Sequence, residues 1–308
     1  MRYRFIAVVA LCWLLPVSGS LRAEDAFFDS KGVKLHYTVE GKGEPVLLIH
    51  GFAANIDFNW VLPGVTKALA KDYQVISIDN RGHGRSDKPH DAKQYGTEMV
   101  EDAVRLLDHL KIKKAHVVGY SMGAMVTHKL IATHPDRLLS ATLGGGAAVK
   151  LPGDDQFMDD LVESLNNGKG LAPLMTALTP MGRPKPTEEQ LKTANQMIMA
   201  VNDPKALAAV VRGLSDLTIP ENKLKANRVP TLALVGAIDP LKARVDPLKD
   251  RMANLTIVVI DGADHIDAVG KPEFINGLKK FLGEHRAAGE NGEKANEPKR
   301  KEPIPSRP

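Results

Sequence analysis

Short apolar runs alternate with longer stretches of helical period through most of the chain. Val33-Lys-Leu-His-Tyr-Thr-Val39 alternates apolar and polar residues, the period of a strand with one wet face. After Gly41-Lys-Gly43 comes Pro45-Val-Leu-Leu-Ile49, nearly all apolar, as in a strand covered on both faces, and the glycine turn predicts that the two strands form a hairpin. A helix is expected over Trp60 to Ala70, then the strand Gln74–Ile78 and a glycine-spaced loop from Asp79 to Asp87. Val100 to Leu110 carries apolar residues at 100, 103, 104, 106, 107 and 110, which share one helical face. A strand ending at Gly119 is followed by a helix from Met122 to about Thr133, stopped by Pro135, and by the strand Leu138–Leu143, which runs into Gly144-Gly-Gly146. Alternation of this kind predicts an α/β fold with a right-handed, mostly parallel central sheet and helices on both faces.

The alternation pauses from 149 to 220. That stretch holds helical patterns, the breakers Pro152, Pro173, Pro180, Pro184 and Pro186, and methionines 158, 175, 181, 197 and 199, and it reads as an insertion. Strands resume at Thr231–Val235 and Thr256–Ile260, and a last helix is expected from about Glu273 to Leu282. Residues 284–308 are rich in charge and breakers and nearly devoid of apolar side chains, the composition of a disordered tail. The expected organisation is therefore a core over 24–148 and 221–283, an insertion over 149–220, and a leader over 1–23.

The leader has the layout of a secretory signal. Arg2 and Arg4 precede the eleven-residue apolar run Phe5–Leu15, and Pro16 opens a small, polar stretch. Eleven residues are too few to span a bilayer, so no stable membrane span is expected after cleavage, with retention of the segment as an uncleaved anchor left open, and the protein is expected to be exported, periplasmic or extracellular. Its single cysteine, Cys12, lies inside the apolar run, so the exported chain would hold together without disulfides. The net charge of +4 lies in the two terminal segments: residues 24–283 carry 32 basic and 32 acidic side chains. A neutral body argues against a nucleic-acid surface, and the expected partner is a small-molecule substrate.

The chemistry concentrates in Gly119-Tyr-Ser-Met-Gly123. With 26 glycines and 10 serines in 308 residues, about 0.07 G-x-S-x-G matches are expected by chance. Its position between a strand and a helix lowers the odds further. A serine on so sharp a turn stands clear of the backbone for a base to reach, and the flanking glycines accommodate the close approach.

Residues 27–283 resemble the α/β-hydrolase superfamily. The resemblance rests on His50-Gly51-Phe52, Asp79 to Asp87, Gly119 to Gly123, Val235-Gly-Ala-Ile-Asp239 and Gly262-Ala-Asp-His265, in the family's order of serine, acid and histidine. It implies Ser121 as nucleophile, His265 as base, and Asp239 as the carboxylate that holds the histidine's tautomer. Asp264 and Asp267 flank the histidine, but sequence neighbours seldom have that geometry. The rival acid position after the strand ending near Leu143 is occupied by glycines. By position, the backbone N–H groups of Phe52 and Met122 form the oxyanion hole, and Asp79 to Asp87 is read as scaffold.

The resemblance also makes 149–220 a lid, whose Phe157, Met158, Leu161, Leu165, Leu174, Met175, Leu178 and Met181 favour an apolar substrate. No cofactor or metal is implied, since the chain lacks a Cys/His cluster and an H-E-x-x-H helix. Haloalkane dehalogenase and epoxide hydrolase chemistries, which use an aspartate nucleophile in this fold, are disfavoured by Ser121. The expected activity is acyl-enzyme hydrolysis of a small apolar ester or lactone. Carbon–carbon bond hydrolysis, perhydrolysis, a slow ligand sensor and a binding protein with a dead site stay open.

Overall fold

The structure is a computed structural model and describes residues 24–287; residues 1–23, the expected signal segment with Cys12, and residues 288–308 lie outside the described residues. Eight strands form one sheet: β1 (Glu24–Ser30), β2 (Val33–Glu40), β3 (Glu44–Ile49), β4 (Tyr73–Ile78), β5 (Ala115–Tyr120), β6 (Leu138–Gly144), β7 (Thr231–Gly236) and β8 (Leu255–Ile260), in the order β1-β2-β4-β3-β5-β6-β7-β8. From β4 to β8 all neighbours are parallel, while β1 and β2 are antiparallel.

The strand pairing differs from the hairpin expected from Gly41-Lys-Gly43. The strand at 33–40 does not form a hairpin with 44–49. Its hairpin partner is β1, closed by Lys31 and Gly32, both at positive φ (55° and 81°), as a two-residue turn between twisted strands requires. β3 instead lies between β4 and β5. An all-apolar strand gains most from burial on both faces, and only an interior place in the sheet provides it.

The helices are α1 (Val65–Leu69), α2 (Thr97–His109), α3 (Met122–Thr133), α4 (Asp154–Asn166), α5 (Ala172–Ala177), α6 (Glu188–Met199), α7 (Pro204–Gly213), α8 (Glu221–Lys225), α9 (Lys242–Val245) and α10 (Pro272–Glu284). The helix expected over 60–70 is split into a π-helical turn, Asp57–Val61, and the short α1, because Pro63 and Gly64 intervene. Strand side chains alternate between two cores. Leu47, Ile49 and Val117 pack with Val100, Leu106 and Leu130 on one face, while Val46, Leu48 and Val118 pack with Leu69, Phe274 and Leu278 on the other. α4 to α7 are inserted between β6 and β7 and keep a cluster of their own around Leu161, Leu165, Leu207 and Val211.

The packed body extends slightly past the expected start of the tail. α10 runs to Glu284, and the Ala287 N–H donates to Glu44 Oε1. Among the described residues no helix is long and apolar enough to cross a membrane.

Candidate active site

Four chain segments leave the carboxyl edge of the sheet and meet. β5 ends at Tyr120, and Ser121 follows at φ 53°, ψ −114° before α3 begins. A non-glycine residue at such a φ carries strain of about 1–3 kcal/mol that its surroundings must impose. They do so here: the Ser121 N–H is held by the Gly144 carbonyl at 2.7 Å, and its own carbonyl accepts from Ala124 and Met125. A β-carbon at Gly119 would stand 2.0 Å from the Gly123 carbonyl oxygen, and one at Gly123 would stand 2.0 Å from that of Ile49. Both glycines are therefore steric requirements of the turn.

His265 follows β8, and Asp239 follows β7. The two loops are laced together by Ala237 N–H to Ile260 O and Ile238 N–H to Ala263 O. His265 Nε2 lies 3.0 Å from Ser121 Oγ, and His265 Nδ1 lies 2.8 Å from Asp239 Oδ2. Asp239 is fully buried, and its other oxygen accepts the Leu241 N–H at 2.8 Å. With the carboxylate on Nδ1, that nitrogen carries the ring proton and Nε2 is left to accept the serine proton. Tyr120 adds an anchor that the sequence did not signal: its hydroxyl donates to the His265 carbonyl at 2.7 Å. Asp264 and Asp267 are occupied in their own turn, accepting backbone N–H groups of residues 264, 266 and 267.

The fourth segment follows β3. His50 Nδ1 is 2.7 Å from the Gly51 carbonyl oxygen, while His50 Nε2 accepts from the Asn80 N–H, which fixes the proton on Nδ1. Asn59, in the π-helical turn, accepts the Gly51 N–H at 2.8 Å. Gly51 is thus held on both sides. Its peptide to Phe52 is trans, so the Phe52 N–H opposes the Gly51 carbonyl and points away from His50. The loop passes close to the serine, since a β-carbon at Gly51 would lie 3.2 Å from Ser121 Cβ. Met122, the first residue of α3, presents an N–H with no acceptor inside its own helix.

Neither His50 nor Asn59 was singled out as a site residue from the sequence. An asparagine ahead of a helical run reads as a cap, and π-helical turns, which often mark functional sites, have no sequence signature. Replacing Asn59 with leucine should lower kcat roughly tenfold, less than the 10²–10³ lost when an oxyanion donor is deleted outright, with KM little changed. Asn59→Asp, which keeps the acceptor, should recover part of that loss. Equal effects on kcat and KM in steady-state kinetics would refute the assignment.

The Asp79–Asp87 loop lies behind this segment. Asp79 is buried and accepts the N–H groups of Ile56 and Arg85, with His36 Nδ1 at 2.8 Å. It ties its own loop to the segment after β3 and to β2, and does not touch the serine–histidine pair.

Two buried histidines set an acid limit on the fold. Burial, with the neighbouring His50 charge, lowers the His83 pKa to about 3, and burial lowers His128 to about 3. A histidine that stays neutral when folded but binds a proton at pH 6.5 when unfolded leaves stability intact above 6.5, and stability is lost as pH falls from 6.5 towards 3. From pH 7 to 5 the pair should cost about 4 kcal/mol. His50 and His116, lowered by burial, act in the same sense. His36 acts in the opposite one: burial pulls its pKa down, but Asp79 and Asp25 outweigh this and raise it. Denaturant unfolding at the two pH values measures the difference, and His128→Gln should reduce it by about 2 kcal/mol, one histidine's share of the pair.

A cavity of about 400 Å³ opens on Ser121, with Phe52, Phe58, Met125, Val211, Leu214, Leu241 and Val269 among its walls. Of the insertion residues expected to face a substrate, Phe157, Met158, Leu161, Leu174 and Leu178 line it. Leu165 and Met175 pack inside the insertion, and Met181 is exposed.

Residues 44–271 match the family model described as the alpha/beta hydrolase fold. The chain belongs to that family. An uncharacterized hydrolase of Bacillus subtilis is 30% identical over 204 residues, 63% of this chain and 70% of the relative. A 2-hydroxymuconate semialdehyde hydrolase of Pseudomonas sp. is 36% identical over 123 residues, 39% of this chain and 43% of the relative. The chain spans about a third of the length of the first curated relatives it matches. Among solved structures, an enol-lactonase from Burkholderia xenovorans superposes with a TM-score of 0.70 at 23% identity, covering 84% of this chain and all of that one. At that identity the likeness is one of fold.

Proposed function

We propose that the protein is an exported serine hydrolase that cleaves a small, largely apolar carboxylic ester or lactone. The observation that carries this reading is the unbroken hydrogen-bonded chain Ser121–His265–Asp239 at the floor of an apolar cavity. In the proposed cycle His265 Nε2 takes the serine proton as Oγ attacks the substrate carbonyl. The tetrahedral oxyanion is received by the Phe52 and Met122 N–H groups. His265 then gives the proton to the leaving alkoxide, the carbon–oxygen bond breaks, and an acyl-enzyme remains. A water deprotonated by His265 releases the acid and restores the serine.

The inserted helices act as a lid, covering the nucleophile with apolar side chains. Export rests on the basic and apolar layout of residues 1–15. A second reading, hydrolysis of a carbon–carbon bond, is supported by the name of the Pseudomonas relative and uses the same three residues.

The test combines a fluorophosphonate probe with turnover of nitrophenyl esters and a lactone by protein lacking residues 1–23. A single adduct at Ser121, with steady turnover that the adduct abolishes, is the expected result. No adduct and no turnover would overturn the reading. A stoichiometric burst that then stops would replace the enzyme with a slow ligand sensor.

A further inference from the structure

The catalytic cavity has a neighbour. A second cavity of about 250 Å³ lies at the seam between the inserted helices and the core. Both are walled by Met125, Met158, Val211, Leu214 and Arg244, so only one layer of side chains separates them. Met125 lies in the first turn of α3 and its N–H donates to the Ser121 carbonyl at 3.2 Å, which places the partition close to the nucleophile. Met125 and Met158 are only partly buried, and their unbranched side chains can shift to open a way between the cavities.

The two spaces differ in chemistry. The catalytic cavity is mostly apolar, whereas the second is lined by Lys150, Asp155, Asp159, Arg212, Ser215 and Thr218, together with Asp154. Its charges cancel. Arg244 holds Asp154 through two hydrogen bonds of 2.6 and 2.7 Å, and Lys150 pairs with Asp155 at 2.7 Å. Arg212 and Asp159 remain, one of each sign, with no ion pair among the described residues. A ligand bearing a full charge would meet one attractive and one repulsive partner, whereas a neutral hydrogen-bonding group could use both a donor and an acceptor.

Resting on the acyl-transfer reading above and extending its substrate range from small apolar esters to longer ones, we propose that the second cavity is a distal subsite for an elongated acyl group that ends in a neutral polar function such as a hydroxyl or an amide. The chain passes the methionine partition from Ser121, and its far end is received among Arg212, Asp159, Ser215 and Thr218.

The test uses the purified protein and nitrophenyl esters of acetate, dodecanoate and 12-hydroxydodecanoate. Ser215 and Thr218 are exposed at the rim of the second cavity, so Ser215→Trp and Thr218→Trp fill it without disturbing a core. For the wild type, kcat/KM for the hydroxyl-ended ester should exceed that for the plain dodecanoate roughly fivefold, the size of one hydrogen bond. Each tryptophan variant should erase that preference and raise KM for the hydroxyl-ended ester about tenfold, leaving acetate turnover within about twofold. No preference in the wild type, or equal effects on the acetate and hydroxyl-ended esters in both variants, would overturn the subsite. Calorimetric binding of 12-hydroxydodecanoic acid to Ser121→Ala protein, with and without Thr218→Trp, reads the subsite without turnover. Absence of any Ser121-dependent cleavage of acetate would instead defeat the acyl-transfer reading, and the two failures are therefore distinguishable.

Discussion

Ser121→Ala will reduce ester turnover roughly 10⁴–10⁶-fold, the loss expected when the nucleophile of a serine–histidine–carboxylate set is removed. No other hydroxyl in the described structure is hydrogen-bonded to His265 Nε2, so no second nucleophile stands ready to substitute. The same position carries a stability prediction of opposite sense. Alanine inherits the strained φ of 53° and should leave stability within about 1 kcal/mol of wild type, since only one solvent-facing hydrogen bond is lost. Ser121→Gly, equally inactive, should be more stable than Ser121→Ala by about 1 kcal/mol, because glycine adopts that φ without strain. Steady-state rates and denaturant midpoints on the pair separate the two effects. Residual activity above about 1% in a contaminant-free preparation would remove Ser121 from the nucleophile's place.

The parts of this molecule that can be read along the chain are those in which local pattern and tertiary role agree. Val46, Leu48 and Val118 face one core, and Leu47, Ile49 and Val117 the other, so an all-apolar run is itself the signature of an interior parallel strand. The glycines at 119 and 123 are legible for a related reason: the turn leaves no room for a β-carbon. Strand pairing was less legible. Lys31-Gly32 and Gly41-Lys-Gly43 are both acceptable turns, and the sequence does not state which one closes a hairpin. The outcome was decided by where β3 could bury both of its faces.

The site residues that sequence reasoning missed act through the backbone. Asn59 holds the Gly51 N–H, His50 the Gly51 carbonyl, and Tyr120 the His265 carbonyl. Each is a common residue type whose role depends on a partner up to 145 positions away. The Arg244–Asp154 pair, which joins the segment after β7 to the first inserted helix, was hidden likewise. Two charges 90 positions apart look like ordinary surface until the fold brings them together.

Asp239→Asn provides the second large effect, and its sign follows from the two hydrogen bonds the carboxylate makes. Oδ1 accepts the Leu241 N–H, and Oδ2 faces His265 Nδ1. An asparagine of the same shape has only one carbonyl oxygen, and the Leu241 N–H can be satisfied by nothing else in the amide. The NH₂ would therefore turn towards His265, forcing Nδ1 to become the acceptor and placing the ring proton on Nε2, against the serine hydroxyl. In that tautomer the histidine cannot take the serine proton. A loss of roughly 10⁴-fold in kcat is expected, as for the corresponding change in serine proteases, with the fold retained because every hydrogen bond is still made. Asp239→Ala, which leaves the ring free to choose its tautomer, should be no slower than Asp239→Asn despite the cavity it opens. An asparagine variant that keeps more than about a tenth of wild-type kcat would show that another group orients His265.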